Sequence, residues 1–174
     1  MNDRLKAPAA RFAAAIVLAL AAVMPARAAV LDAQDTARLV AINEAIASFE
    51  NDVGSALHNL KPEEADQIES YAYVELNLEA AHERLNTVFM LAAVSIYVES
   101  ATDQALLLQL MRGQLLTRSR NYLDEKKDAI ASMAAAHPDN KVFAEYSRRA
   151  NAILGDRAIP LLEELDRRIG AAPR

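Results

Sequence analysis

The amino-acid sequence predicts an all-α protein, a compact antiparallel bundle of four to five helices behind a cleavable leader. Three observations carry this. Beyond residue 28 the only backbone breakers are Gly54, Gly113, Gly155 and Gly170 with Pro62, Pro138, Pro160 and Pro173, which leaves long uninterrupted stretches. Apolar side chains recur at spacings of three and four, the period of one helix face. Alternation of the strand type is nowhere sustained, and Ala, Leu, Glu and Arg, which lose little side-chain freedom in a helix, are abundant.

The chain opens with a basic start (Arg4, Lys6, Arg11), an apolar stretch from Phe12 to Met24 and a small-residue end, Ala26-Arg27-Ala28. That order is the layout of a secretory signal peptide. The apolar stretch is too short for a permanent span, which needs about 20 residues. Residues 1–28 are therefore expected to be removed after Ala28 by a Sec-type route, leaving 29–174 as one domain in the periplasm. Apart from the leader, the longest apolar run is Val88 to Val98, so no stable membrane anchor is expected after cleavage.

Helix 1 is expected from about Asp35 to Asn59, with Leu39, Ile42, Ile46, Phe49, Val53, Leu57 and Leu60 on one face and Asp32 or Asp35 capping its first turn. Pro62 breaks it and suits the first position of helix 2, where Glu63, Glu64 and Asp66 meet the positive end of the helix dipole. Helix 2 should run to about Val98 with Ile68, Tyr71, Val74, Leu78, Ala81, Leu85, Val88 and Ala92 as its core stripe.

A turn is expected between Glu99 and Gln104. An unbroken helix from Pro62 to Ala136 would be about 110 Å long and would need a coiled-coil partner whose heptads this chain does not supply. Helix 3 then runs from about Asp103 to Ala136, opening on Leu106, Leu107, Leu108, Leu110 and Met111; Gly113 marks either a close helix contact or a bend. Pro138 opens helix 4, with Val142, Tyr146, Ala150 and Ile153 on one face, and Gly155 is expected to end it as a left-handed cap. A short helix 5 follows through Ile159, Leu162, Leu165 and Ile169.

Charge narrows the function. Without residues 1–28 the chain holds 15 basic and 23 acidic residues, a net charge of −8, which argues against sequence-independent nucleic-acid binding and against docking on anionic lipid. The complete absence of Cys removes thiol nucleophiles, thiolate metal sites and covalent haem. There is no phosphate-cradling glycine motif and no G-x-S-x-G elbow. His58, His82 or His137 paired with Met90, Met111 or Met133 could ligate haem, but no spacing demands it, and Met in an apolar stripe ordinarily fills a core.

The most suggestive cluster is Glu75, Glu79, His82 and Glu83. Glu79 and His82 stand in a Glu-x-x-His spacing that points a carboxylate and an imidazole the same way, and di-metal bundles use two such pairs with two further Glu. One pair supplies two ligands, so Glu75, Glu79 and His82 are read first as a solvated helix face, and as a divalent transition-metal site only in the alternative.

Two further signals point to binding. The run Val88–Val98 is apolar all round except at Ser95, and is expected to be buried on every side with the Leu-rich start of helix 3 folded onto it; an exposed patch for self-association or a partner is the alternative. Residues 29–110 carry three basic and fourteen acidic side chains, whereas residues 111–174 carry twelve and nine. Opposite halves should pair across the bundle, or present an acidic surface to a basic partner. The expected function is non-catalytic: an exported bundle that binds another protein, as an adaptor, inhibitor, immunity-type factor or envelope-stress component, with no cofactor.

Overall fold

The structure, a computed structural model, describes residues 33–94 and 101–171. The leader and its cleavage point, Asp32, the expected last turn of helix 2 from residue 95 on, and Ser100 lie outside the described residues. Helices account for nearly all of what is described, and no strand occurs among the described residues.

Four helical rods make the bundle. Helix α1 (Ala33–His58) is the first. The second starts as a 3-10 turn, Pro62–Gln67, and continues as α2 (Ile68–Val94). The third comprises α3 (Ala101–Leu110), a π-helical stretch Met111–Leu116 and α4 (Thr117–Ala136). The fourth comprises α5 (Lys141–Ala150), a second π-helical stretch Asn151–Ala158 and α6 (Ile159–Ala171). Of the turn expected over Glu99–Gln104, Ala101–Gln104 are helical and belong to α3, while Glu99 and Ser100 lie outside the described residues.

The rods are antiparallel to their neighbours, as the cross-links between them show. Asn43 of α1 donates to Asn86 of α2, and Glu50 reaches His82 one turn or so further on, so the two chains run in opposite directions. Arg149 meets Asp52 at 2.6 Å while Arg38 meets Glu164 at 2.8 Å, which sets the fourth rod antiparallel to α1. Arg112 and Arg120 approach Asp166 and Glu163, which does the same for the third and fourth rods.

The core forms where the apolar stripes meet. Leu39, Ile42, Ile46, Phe49 and Val53 of α1 pack with Val74, Leu78, Ala81, Leu85 and Val88 of α2, with Leu116, Leu123 and Ile130 of the third rod, and with Phe143, Leu154, Leu161, Leu162 and Leu165 of the fourth. At one end four aromatic rings cluster: Phe49 lies 5.4 Å from Tyr146, and Tyr71 lies 4.9 Å from Phe143, in tilted geometries favoured by ring quadrupoles.

Several expectations are corrected here. Helices 4 and 5 are one rod, and Gly155 is not a left-handed cap, since no described residue has a positive φ. The apolar stripe runs unbroken through Ala150, Ile153, Leu154, Ala158 and Leu161, so burial carries the helix past the glycine. Gly155 instead permits close approach: a Cβ there would stand 2.7 Å from Asn151 Oδ1 and 3.3 Å from Lys127 Cδ. Pro160 lies inside the rod without ending it. A proline ring clashes with the carbonyl four residues back and removes one hydrogen bond, and the widened π turns immediately before it, which include Asp156, take up that misfit.

The fourth rod starts later than Pro138. Asn140, in an extended conformation, is the N-cap, its side-chain oxygen accepting from the backbone N–H of Val142 at 2.9 Å and of Phe143 at 3.4 Å. Asp35 does not stand outside α1 as a cap. It is fully buried two residues into the helix, where Arg168 of α6 grips both of its oxygens. Gly113 makes no close contact, with open space where a Cβ would be; it lies in the π-helical stretch. Ile68 and Val142, expected in the core, are exposed.

Candidate functional site

The helix α2 is apolar on two opposite sides. Its core face carries Tyr71, Val74, Leu78, Ala81, Leu85 and Val88, all buried. On the far side Glu69, Tyr73, Leu76, Ala80, Glu83, Thr87, Met90 and Val94 follow each other at alternating steps of four and three, which keeps them within a sector of about 100° on a helix of 3.6 residues per turn. Tyr73, Leu76, Met90 and Val94 are between 43 and 63% exposed, a large solvent contact for such side chains.

This overturns the expectation that the run from Val88 is buried on every side. Val88 and Phe89 are buried, but Met90 and Val94 face outward. The Leu-rich start of the third rod leaves them open: Leu106 and Leu110 are themselves exposed, and Leu107 packs only partly against the core. Only six residues separate Val94 from Ala101, so these open side chains belong to the same end of the molecule.

Neighbouring rods settle how the outward stripe is bounded. On one flank α1 is fixed to α2 by the Asn43–Asn86 bond, by Glu50 to His82, and by the carboxylate of Glu75 lying over Gly54, where a Cβ would be 2.8 Å from its Oε1. On the other flank α4 brings Tyr122 beneath the Arg84 guanidinium, 5.7 Å from the ring centroid, and Lys126 Nζ lies 4.7 Å from the centroid of the same ring. Both basic side chains of α2, His82 and Arg84, are thus turned sideways onto neighbours. Glu69, Glu79 and Glu83 remain exposed along the stripe.

The Glu75, Glu79 and His82 cluster is drawn apart by the same packing. Nδ1 of His82 lies 2.9 and 3.1 Å from the two oxygens of Glu50, with both side chains mostly shielded. Glu75 is drawn to Gly54, one turn along α1 from Glu50, and Glu79 is exposed. Among the described residues no group of three or more His, Asp or Glu is arranged to hold a metal ion. Glu50, which the sequence does not single out, is the residue that α1 contributes.

A cleft lies at the end of the bundle where the 3-10 turn meets the turn between α4 and α5. This cleft of about 570 Å³ is lined by Glu64, Gln67, Tyr71, His137, Asn140 and Lys141, among others. Asn140 donates to Gln67 at 3.0 Å, and Ser70 Oγ sits 3.1 Å from His137 Nε2. The His137 ring also packs on Phe143 at 5.2 Å, so this Ser–His contact ties α2 to the turn. Burial, with the nearby Glu64 charge as a smaller cause, raises the Tyr71 phenol; burial pushes Tyr146 up to about 12, aided by Tyr71 and Asp52.

The acid-rich and base-rich halves of the chain do pair across the bundle. Asp52 meets Arg149 and Asp35 meets Arg168; apart from these, Glu164 of the base-rich half is held by Arg168 of its own helix and by Arg38 of α1, whose hydrogen bonds lower its carboxyl to about 2. None of these pairs involves Glu69, Glu79 or Glu83, so the pairing leaves the carboxylates of the α2 stripe to the surface.

Fold and surface together define an all-α helical bundle with no helix long and apolar enough to cross a membrane among the described residues, and with one apolar helix face left open. No protein-family model, curated protein or solved structure matches the chain.

Proposed function

We propose that this chain is an exported periplasmic protein that acts without catalysis, by binding another protein through the outward face of α2 and the adjoining start of α3. The observation that supports the reading is the set of six large apolar side chains, Tyr73, Leu76, Met90, Val94, Leu106 and Leu110, that folding leaves open although a bundle of this size has core positions to spend them in. An adaptor or inhibitor works through such a surface. Export rests on the three-zone start of the chain, with cleavage after Ala28.

Two measurements test it. Intact mass of the protein recovered from the periplasmic fraction of its own host should give an N-terminus at Ala29, and a product retaining Met1 refutes export. A photo-crosslinking amino acid placed at position 76 or 90 in living cells should give one discrete adduct, which the same probe at position 157, on the fourth rod, does not give. Equal smears from all three positions, or no adduct, refute binding by this face.

A further inference from the structure

The occupant of the α2 face can be specified from its shape and charge. We infer that it takes a basic amphipathic helix of about 20 residues, laid along the stripe from Tyr73 to Val94. The inference rests on the binding function proposed above and names the chemistry of the partner at that site.

Shape argues for a helix. Tyr73, Leu76 and Ala80, and again Met90 and Val94, stand on one α-helix at the three–four spacing into which the apolar residues of a second helix interdigitate, with Glu83 and Thr87 at the stripe positions between the two sets. The stripe is about 32 Å long at 1.5 Å per residue, the length of a helix of some 21 residues. The centre of the stripe stands opposite Val74, Leu78 and Leu85, whose burial fixes the rotation of α2 and so keeps the stripe outward.

Charge selects among helical occupants. Glu69, Glu79 and Glu83 lie exposed on or beside the stripe, whereas the basic side chains of α2 are turned aside, His82 onto Glu50 and Arg84 onto Tyr122, and Lys126 of α4, beside Tyr122 and Tyr73, is paired with Glu125. A second copy of the chain docked through the same stripe would set these carboxylates against each other, which costs rather than stabilises. An anionic lipid surface is repelled by them in the same way. A helix with Lys or Arg beside its apolar seam satisfies both features, and the acidic stripe would also steer its approach.

The test uses the purified protein and three synthetic 21-residue peptides in fluorescence anisotropy. One carries Leu at three–four spacing flanked by Lys, the second replaces each Lys by Glu, and the third has the composition of the first with its leucines scattered around the helix. The lysine peptide should bind at least 10-fold more tightly than either of the others. Leu76→Asp, at an exposed position, should weaken that binding at least 10-fold without altering the far-ultraviolet circular dichroism. Glu79→Lys with Glu83→Lys should reverse the preference between lysine and glutamate peptides, while Asp139→Lys, in the turn before α5, should not.

Equal binding of all three peptides, or an unreversed preference in the double variant, overturns the inference. Sedimentation showing a dimer that Leu76→Asp dissociates assigns the face to a second copy and overturns it as well. Failure here is distinguishable from failure of the function: a discrete cross-link from position 76 to an acidic or non-helical segment refutes the basic helix and leaves protein binding standing, whereas no cross-link refutes both.

Discussion

Replacing Phe49 by alanine should unfold a large part of the stability of the bundle. The ring is fully buried on α1, stands 5.4 Å from the Tyr146 ring, and lies beneath the Arg149 guanidinium at 4.5 Å. Loss of the apolar area costs about 2 to 3 kcal/mol by transfer. A void on the order of 100 Å³ left between rods adds roughly 2 kcal/mol at about 24 cal/mol per Å³. The ring–ring contact contributes about 0.5 to 1.5 kcal/mol beyond area, part of it lost with the transfer term, so the whole should be about 4 to 5 kcal/mol.

Against a total stability of about 5 to 15 kcal/mol, that change is decisive. Urea unfolding followed by far-ultraviolet circular dichroism reads it directly, since the chain has no Trp to report by fluorescence. The midpoint should fall with little change in slope, and Tm should drop by roughly 10 to 15 °C at about 2 to 4 °C per kcal/mol. Phe49→Leu keeps most of the apolar volume and should cost only about 1 to 2 kcal/mol, isolating the ring contacts. A cost below about 1 kcal/mol for Phe49→Ala would show that the core does not close around this ring, and the arrangement of α1 against the fourth rod would have to be abandoned.

Leu76→Ala and Met90→Ala should each change stability by no more than about 0.5 kcal/mol in the same assay, as surface substitutions do; a loss above 2 kcal/mol would place them in a core and remove the open face. Arg168→Ala strips the guanidinium from the buried carboxylate of Asp35 and should cost about 2 kcal/mol, with a cost near zero showing that Asp35 is held by its other contacts. Gly113→Ala meets open space and should stabilise the third rod by up to about 1 kcal/mol, whereas a loss would mean that the π-helical stretch requires glycine. The Glu164 carboxyl, lowered in the folded state, lends stability that is present above the unfolded value of 4.5 and is lost as pH falls through about 2; the stability gap between the native chain and Glu164→Gln should close over that window, and a gap independent of pH would refute the pairing with Arg38 and Arg168. Tyr146 acts in the opposite range: raised to about 12, it costs stability as pH climbs above 10, because the unfolded chain loses the phenolic proton first, and Tyr146→Phe should flatten that alkaline decline.

The sequence by itself determined the all-α class, the C-terminal end of α1 at His58 to within one residue, and the core positions Ile42, Ile46, Phe49, Leu78 and Leu85. Periodicity and proline are local signals, and a stripe at three–four spacing has to be buried wherever the helix ends up. The outward stripe of α2 is also written there, at Tyr73, Leu76, Ala80, Met90 and Val94, but a helix apolar on two sides reads in sequence as buried all round.

The covered face of α2 was legible in its stripe through Tyr71, Val74, Leu78 and Leu85, but only the tertiary structure decided that the opposite face is left open. That choice depends on where α1 and α4 settle, and they are positioned by contacts between residues far apart in the chain, such as Asn43 with Asn86 and Arg84 with Tyr122. The same holds for Gly155 and Pro160, which look like a helix end in the chain but stand within one rod, because the burial of Leu154, Ala158 and Leu161 along the bundle outweighs the local cost of a proline that π-helical turns accommodate. It holds too for Glu79 and His82, neighbours on one helix whose partners are chosen from outside it: Glu50 of α1 takes the imidazole, and Glu79 is left to water. A local pattern fixes what a helix can offer, and the packing of distant segments fixes which offer is taken up.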